Sequence, residues 1–303
     1  MDFTVIPFAE GEAKLSWAGL LQAFEDGHSK PKAEIADTFL YRGNDTLLNR
    51  VAWVDGMGVA VKSATIFPGN PDKGKPLIYG AVNLYSDDDG SFEALVDFHL
   101  VTKWKTAGDS LLSASKLARK DSREILIVGA GTVGRSVRQA YGTLFPDARF
   151  TVWNRSPEGA EKMASENPGM TVARDLETAV GAADVIVSAT MASDPVIRGA
   201  WLQPGQHIDL IGAYRPDMRE VDDDAMRRAR VFVDSYDTTV EHIGELIDPL
   251  KSGALKREDI VADFYDLEAF QRQSGDEITI AKNGGGAHLD LMTSRYILNA
   301  WRG

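Results

Sequence analysis

The chain has no cysteine. That one absence excludes disulfides, thiolate catalysis and cysteine-ligated zinc. No apolar run approaches the length needed to span a bilayer, so no membrane partner is expected. Basic residues are outnumbered, with a formal net charge of −12 and a pI near 4.9. Nonspecific nucleic-acid binding is therefore not expected, although a local basic pocket is compatible with that balance. The opening MDFTVIPFAEGEAK lacks a basic stretch followed by an apolar core, so no signal peptide is read there and a cytoplasmic location is expected. Repeats and low-complexity segments are absent as well. Asp87-Asp88-Asp89 has no calcium-loop spacing after it and reads as a solvated hairpin turn, so no metal is assigned.

What is present is an ordinary globular composition. The 303 residues are 44% hydrophobic and 26% charged, enough for two domains and a large core. The most informative stretch is EILIVGAGTVGRSVRQAYGTLFPDARFTVWNR, from Glu124 to Arg155. Ile125 to Val128 is a short β-branched run that suits a strand buried on both faces. It enters Gly129, Gly131 and Gly134, spaced G-x-G-x-x-G. A helix with an apolar stripe follows, and Arg149–Trp153 resumes an extended pattern. This is a βαβ unit with its glycines at the first turn, the fingerprint of a Rossmann-type dinucleotide site. Gly129 makes the turn, Gly131 lets a pyrophosphate approach, and Gly134 lets helix and strand pack. Thr132 and Val133 open the helix, whose N-terminus offers N–H groups and a positive dipole end.

An NAD site places a carboxylate about 20 residues on, to hold the ribose 2′-hydroxyl. Here Asn154, Arg155 and Ser156 occupy that place. A guanidinium with two small hydrogen-bonding side chains suits a 2′-phosphate, so NADP(H) is expected over NAD(H), with NAD an alternative. Later strands are read at 184–189, 207–211 and 231–234. Ligands bind beyond the carboxyl ends of such strands, which makes Thr190, Met191, Gly212, Ala213 and Tyr214 pocket candidates.

The N-terminal part reads differently. A strand over 3–7 and a helix carrying Trp17, Leu20, Leu21 and Phe24 precede short strands at 39–42, 46–54, 58–66, 77–85 and 92–96. Lys62 lies inside GVAVKSATIF, where a lysine needs a partner, a site to point into, or an exposed face. A helix is expected over 102–120, with Lys105 in its first turns, and an amphipathic one over 287–301. Asp222-Asp223-Asp224 reads as a helix start rather than a metal site.

The order Lys62, Pro68-Gly69-Asn70, Gly74-Lys75-Pro76, then DFHLVTKWKTAGDS from Asp97 to Ser110 resembles the ornithine cyclodeaminase/mu-crystallin family. The run Gly212-Ala213-Tyr214-Arg215-Pro216-Asp217-Met218-Arg219-Glu220 and the tail Lys282, Gly285-Gly286-Ala287 and Asp290 continue it. The resemblance implies an α/β protein with two parts. One is an α+β substrate and dimerisation domain, residues 1–118 with the last helix at 291–303. The other is a doubly wound nucleotide domain, 119–290. It also implies a homodimer, and a clamp of Arg42, Lys62 and Lys105 on the carboxylate of a small substrate. Lys105 stands where the family usually has arginine, and Tyr214 where cyclodeaminases carry an aspartate. A phenol is neutral at pH 7 and cannot replace that charge. The expected activity is therefore NADP(H)-dependent reduction of a cyclic α-imino acid, or oxidation of an α-amino acid. Lys62, Lys105 and Tyr214 are the catalytic candidates. Ornithine cyclodeamination and non-enzymatic NADPH-dependent ligand binding are the alternatives.

Overall fold

The computed structural model describes residues 3–303. The chain divides into two compact units. One runs up to Lys105 and takes in Gly286–Gly303; the other is Thr106–Gly285. The first break lies inside a helix, where no turn residue marks it, and so comes earlier than 118/119. The second lies at a helix N-cap, just ahead of 290/291.

The first unit begins with β1 (Thr4–Ile6), α1 (Phe8–Glu12) and α2 (Trp17–His28). Ser16 caps α2 by accepting from the Gly19 N–H at 3.1 Å, and Trp17, Leu20 and Phe24 form its buried stripe. Then come β2 (Glu34–Arg42), β3 (Asp45–Val54), β4 (Gly58–Ile66), β5 (Ile78–Tyr85) and β6 (Phe92–Asp97). They pair in the order β1-β6-β5-β4-β3-β2, antiparallel except for β1 with β6. β2 starts earlier than 39–42 and is an edge strand exposed along its whole length. The Asp-rich segment between β5 and β6 is the expected turn, closed by Gly90 at φ +71°. Helix α3 (Phe98–Leu117) starts at Phe98 rather than 102, because the Asp97 carboxylate accepts from the Leu100 N–H at 2.9 Å and sets the cap there. The last helix, α10 (Ala287–Arg302), returns to this unit and packs on α2 and β3.

The second unit contains β7 (Glu124–Val128), α4 (Thr132–Leu144), β8 (Arg149–Trp153), α5 (Pro157–Glu166), β9 (Thr171–Val172), α6 (Leu176–Ala182) and β10 (Val185–Ser188). It continues with β11 (His207–Leu210), α7 (Asp223–Arg228), β12 (Arg230–Val233), α8 (Tyr236–Thr239), α9 (Gly244–Ser252) and β13 (Thr279–Lys282). The sheet is parallel, in the order β12-β13-β11-β10-β7-β8-β9. Strand order reverses between β7 and β10, the switch point at which a doubly wound sheet binds its ligand. Strands β7, β10, β11 and β13 are buried almost throughout, as expected for a sheet covered on both faces. Asp222 caps α7 by accepting from the Ala225 N–H at 3.0 Å, so the aspartate run is a helix start. Among the described residues, no helix is long and apolar enough to cross a membrane.

Candidate active site

In the second unit the glycine turn follows β7 as its spacing requires. Gly129 has φ +112°, a conformation that L side chains rarely adopt. A Cβ on Gly134 would lie 2.1 Å from the Gly129 carbonyl oxygen, whereas one on Gly131 would meet nothing within 4 Å. The first and third positions are thus closed by packing, and the middle one is left open for a ligand. Gly131 is the N-cap of α4 and no side chain caps that end, so the first-turn amides at Thr132, Val133 and Gly134 are available to an anion. A cavity of about 400 Å³ opens there, lined by Gly129, Gly131, Trp153, Arg155, Ser156 and Thr190 among others.

Asn154 does not point into that cavity as a free ligand. Its Oδ1 accepts from the Ala130 N–H at 3.0 Å, and its amide donates to the Ser156 carbonyl and hydroxyl. It ties the glycine turn to the end of β8. Arg155 is exposed on the cavity wall and has no ion-pair partner among the described residues.

Thr190 and Gly212 are brought together by Glu220, a residue with no role assigned from its sequence position alone. The buried Glu220 accepts from the Ser188 hydroxyl (2.6 Å), the Thr190 N–H (2.8 Å) and the Thr190 hydroxyl (2.9 Å) through one oxygen. Its other oxygen accepts from the Gly212 and Ala213 N–H groups at 2.7 and 3.1 Å. The loops after β10 and β11 are so close that a Cβ on Gly212 would lie 1.9 Å from the Thr190 carbonyl oxygen. Behind Glu220, Glu245 accepts from the Glu220 and Val221 N–H groups. Burial, and then the charge of Glu220, push the Glu245 carboxyl up to about 7, with Lys282 opposing. The Lys282 ammonium is itself buried and donates to three carbonyls, those of Leu210, Ala213 and Asn283.

The first unit holds the cations. Lys62 is only 6% exposed, and its ammonium donates to Asp290 Oδ1 at 2.8 Å and Thr102 Oγ1 at 2.9 Å. It lies 4.6 Å from the centre of the Phe98 ring. Lys105, also 6% exposed, lies 3.8 Å from the same Asp290 oxygen. Arg50 on β3 is directly opposite Lys62 in the β-ladder and on the same sheet face, and it pairs with Asp37 of β2 at 3.0 Å. Burial pushes the Asp290 carboxyl up, but Lys105, Lys62 and Arg50 together hold it below the usual carboxylate range. Beside it, burial and the neighbouring His28 and Lys105 push the His288 imidazole well below its ordinary value, which keeps it neutral.

Of the three clamp residues expected, the structure brings Lys62 and Lys105 together and leaves Arg42 out. Arg42 ends β2 with its side chain 80% exposed, paired with Asp45 at 3.0 Å across the hairpin. Ladder parity explains the difference, since a cross-strand neighbour of Lys62 must come from the Arg50–Asp37 row. The sequence signal for Arg50 was its register with Lys62, which becomes visible only once the β3–β4 turn is fixed. Tyr214 belongs to the other unit. It follows β11 and is 56% exposed, its ring beside the Arg215 guanidinium.

With this geometry in hand, the comparisons with known proteins are specific. The model of the ornithine cyclodeaminase/mu-crystallin family matches residues 50–303. The chain belongs to that family. It is 48% identical to the Delta(1)-pyrroline-2-carboxylate reductase of Paracoccus denitrificans, over 98% of this chain and 97% of that protein. It is 33% identical to the ketimine reductase mu-crystallin of Mus musculus, over 80% of this chain and 76% of that protein. Among solved structures it resembles the Thermococcus litoralis Delta(1)-pyrroline-2-carboxylate reductase in complex with NADH and L-proline. That match has a TM-score of 0.89 and 25% identity, and covers 98% of this chain and 97% of the other. The family's α/β architecture, with a Rossmann-like parallel sheet and a second sheet domain, is the one described above.

Proposed function

We propose that the protein is an NADP(H)-dependent reductase of cyclic α-imino carboxylates, with Δ1-pyrroline-2-carboxylate as the leading substrate, and that it works as a homodimer. The observation that carries this reading is the pair of buried lysines in the first unit. Burying ammonium groups is costly unless anions complete the site, and a substrate carboxylate beside Asp290 would add to that neutralisation.

The residues around the glycine turn fit a dinucleotide. Gly131 has open space where a Cβ would stand, and the start of α4 has uncapped amides for the pyrophosphate. Arg155 supports NADP(H), because a guanidinium on the cavity wall with no ion-pair partner among the described residues suits a 2′-phosphate. When bound, a reduced nicotinamide supplies the hydride that the imine carbon accepts. The chain's own part is to bind, orient and protonate. Lys62, Lys105 and Arg50 hold the carboxylate and so fix which carbon is presented. The imine nitrogen must gain a proton as the carbon gains hydride, and the Lys62 ammonium, or a water it holds, is the donor on offer.

A dimer is supported by the sheet face opposite Lys62, where Leu40, Trp53 and Tyr79 are exposed together. The cysteine-free composition suits a reducing cytoplasmic compartment.

Supplying L-ornithine with catalytic NAD⁺ separates this reading from redox-neutral cyclodeamination. Little or no proline and ammonia is expected, because Tyr214 offers a phenol and not a carboxylate. Robust release of proline and ammonia would restore the cyclodeaminase reading. NADPH binding with no turnover of any cyclic imine acid would mark a binder.

A further inference from the structure

We infer that Glu220 is a positioning residue that holds the loops leaving β10 and β11 at a fixed separation and so shapes the nicotinamide end of the cofactor cavity. The inference rests on the reading of that cavity as a dinucleotide site, but it concerns a side chain to which that reading gives no task.

Strand order identifies the end in question. The pyrophosphate belongs at the glycine turn between β7 and α4, and the adenine ribose at the end of β8, where Arg155 stands. The cavity continues to the other side of β7, along Ala189, Thr190, Met191 and Ala192 at the end of β10, with β11 next in the sheet. The remaining half of a dinucleotide, its nicotinamide, falls to that side.

The ladder between β10 and β11 closes at Ser188 and Leu210, followed by the Ile211 N–H, which donates to the Ser188 carbonyl at 2.9 Å. Past that point Glu220 takes over. One carboxylate oxygen accepts from the Ser188 hydroxyl and from the N–H and hydroxyl of Thr190, and the other accepts from the Gly212 and Ala213 N–H groups. Each loop therefore has its own oxygen. Every one of these partners donates, so the bridge needs a group that only accepts. A glutamine there would aim an NH2 at one loop's N–H groups.

Glu220 is itself fixed in place. Its N–H donates to Glu245 Oε2 at 2.7 Å, and its carbonyl accepts from the Val196 and Ile197 N–H groups at 3.0 Å. Lys282 donates to the Leu210 and Ala213 carbonyls on either side of Gly212, at 2.8 Å each. Thr190 is at once a partner of Glu220 and part of the cavity wall. A wall set in this way before the cofactor arrives lowers the ordering cost of binding.

The test compares the full-length wild type with Glu220→Gln and Glu220→Asp. Calorimetry measures binding of NADPH and of 2′-phospho-ADP-ribose, which lacks the nicotinamide. NADH and ADP-ribose give the same comparison without the 2′-phosphate. Both variants should weaken binding of the dinucleotides roughly tenfold or more and leave the two fragments within about twofold. Aspartate keeps the charge but is a methylene too short to reach both loops, so it should not rescue. Hydrogen exchange of the unliganded wild type adds a measurement that requires no variant to fold. The Thr190, Gly212 and Ala213 amides should exchange at least about a hundredfold more slowly than in a free chain. Equal weakening of dinucleotide and fragment would mark a merely structural glutamate and overturn the inference. So would unchanged binding by Glu220→Gln, full rescue by Glu220→Asp, or free-chain exchange at those amides. If neither variant folds, the exchange result decides alone. A wild type that shows the split between dinucleotide and fragment but reduces no cyclic imine would sink the proposed function and leave the inference standing. Imine reduction by a wild type whose variants show no split would do the reverse.

Discussion

The two units handle buried charge in opposite ways. The first collects cations around one carboxylate: Lys62 and Lys105 around Asp290, with Arg50 in the next strand. The second packs two carboxylates, Glu220 and Glu245, behind its strand-end loops with one lysine, Lys282, and satisfies them mainly with backbone groups. On the proposed function, anion recognition would differ accordingly: in the second unit through backbone N–H groups exposed by glycine, and in the first through side-chain charge. A backbone site tolerates changes in nearby side chains but no added Cβ. A side-chain site tolerates backbone variation but no loss of charge.

The largest effect is expected from Lys62→Met. It should leave NADPH affinity unchanged and lower kcat/KM for the imine acid by about 10²–10⁴, the range for losing a proton donor or charge stabiliser. Normal turnover by that variant would erase the contrast between the units.

Acid should separate the units by sign. In the second, the Glu245 carboxyl is raised from 4.5 to about 7, so the folded form holds its proton more tightly than the unfolded chain. Its contribution is most favourable below about pH 4.5, and it declines as pH rises toward about 7. In the first, Asp290 is depressed, so its stabilisation is complete above the ordinary carboxylate range and is lost as pH falls through its lowered value. Hydrogen exchange followed peptide by peptide at several pH values, corrected for intrinsic rates, should show the cores around β11 and β4 responding in opposite directions.

Gly134→Ala should abolish measurable dinucleotide binding and cost about 1–3 kcal/mol of stability, because its Cβ would meet the Gly129 carbonyl oxygen at 2.1 Å. Thermal melts with and without NADPH test both parts. Arg155→Ala should narrow the preference for NADPH over NADH by roughly tenfold or more, the value of a charge-assisted phosphate contact. Nicotinamide fluorescence titration of both cofactors reads this, and a preference that survives the change would refute the 2′-phosphate assignment. The smallest effect belongs to Arg42→Met. Exposed, ion-paired with Asp45 and lying over the Phe67 ring, Arg42 should matter within about twofold, whereas Arg50→Met should raise KM about tenfold.

The same contrast explains what could be read from the sequence. The glycine turn, the run of buried strands and the Asp222 cap were legible because each is a local backbone requirement written in residue type. Lys62 was legible as an expensive residue in an apolar strand. Arg50 was not, because its place beside Lys62 depends on a hairpin register that no single residue announces. Strand β13 was missed for a related reason. Thr279–Lys282 is four residues long and ends in a lysine, and its buried position between β11 and β12 depends on carbonyls supplied by other segments. Glu220, Glu245 and Asp290 are surface residues by composition and buried ones by topology.

The most direct test of the account is the stoichiometry of NADPH oxidation by the purified wild-type protein with Δ1-pyrroline-2-carboxylate. One proline should form for each NADPH consumed, NADH should support the reaction less well, and no ammonia should be released. Saturable NADPH binding with no proline formed from this imine or its six-membered homologue would contradict the account.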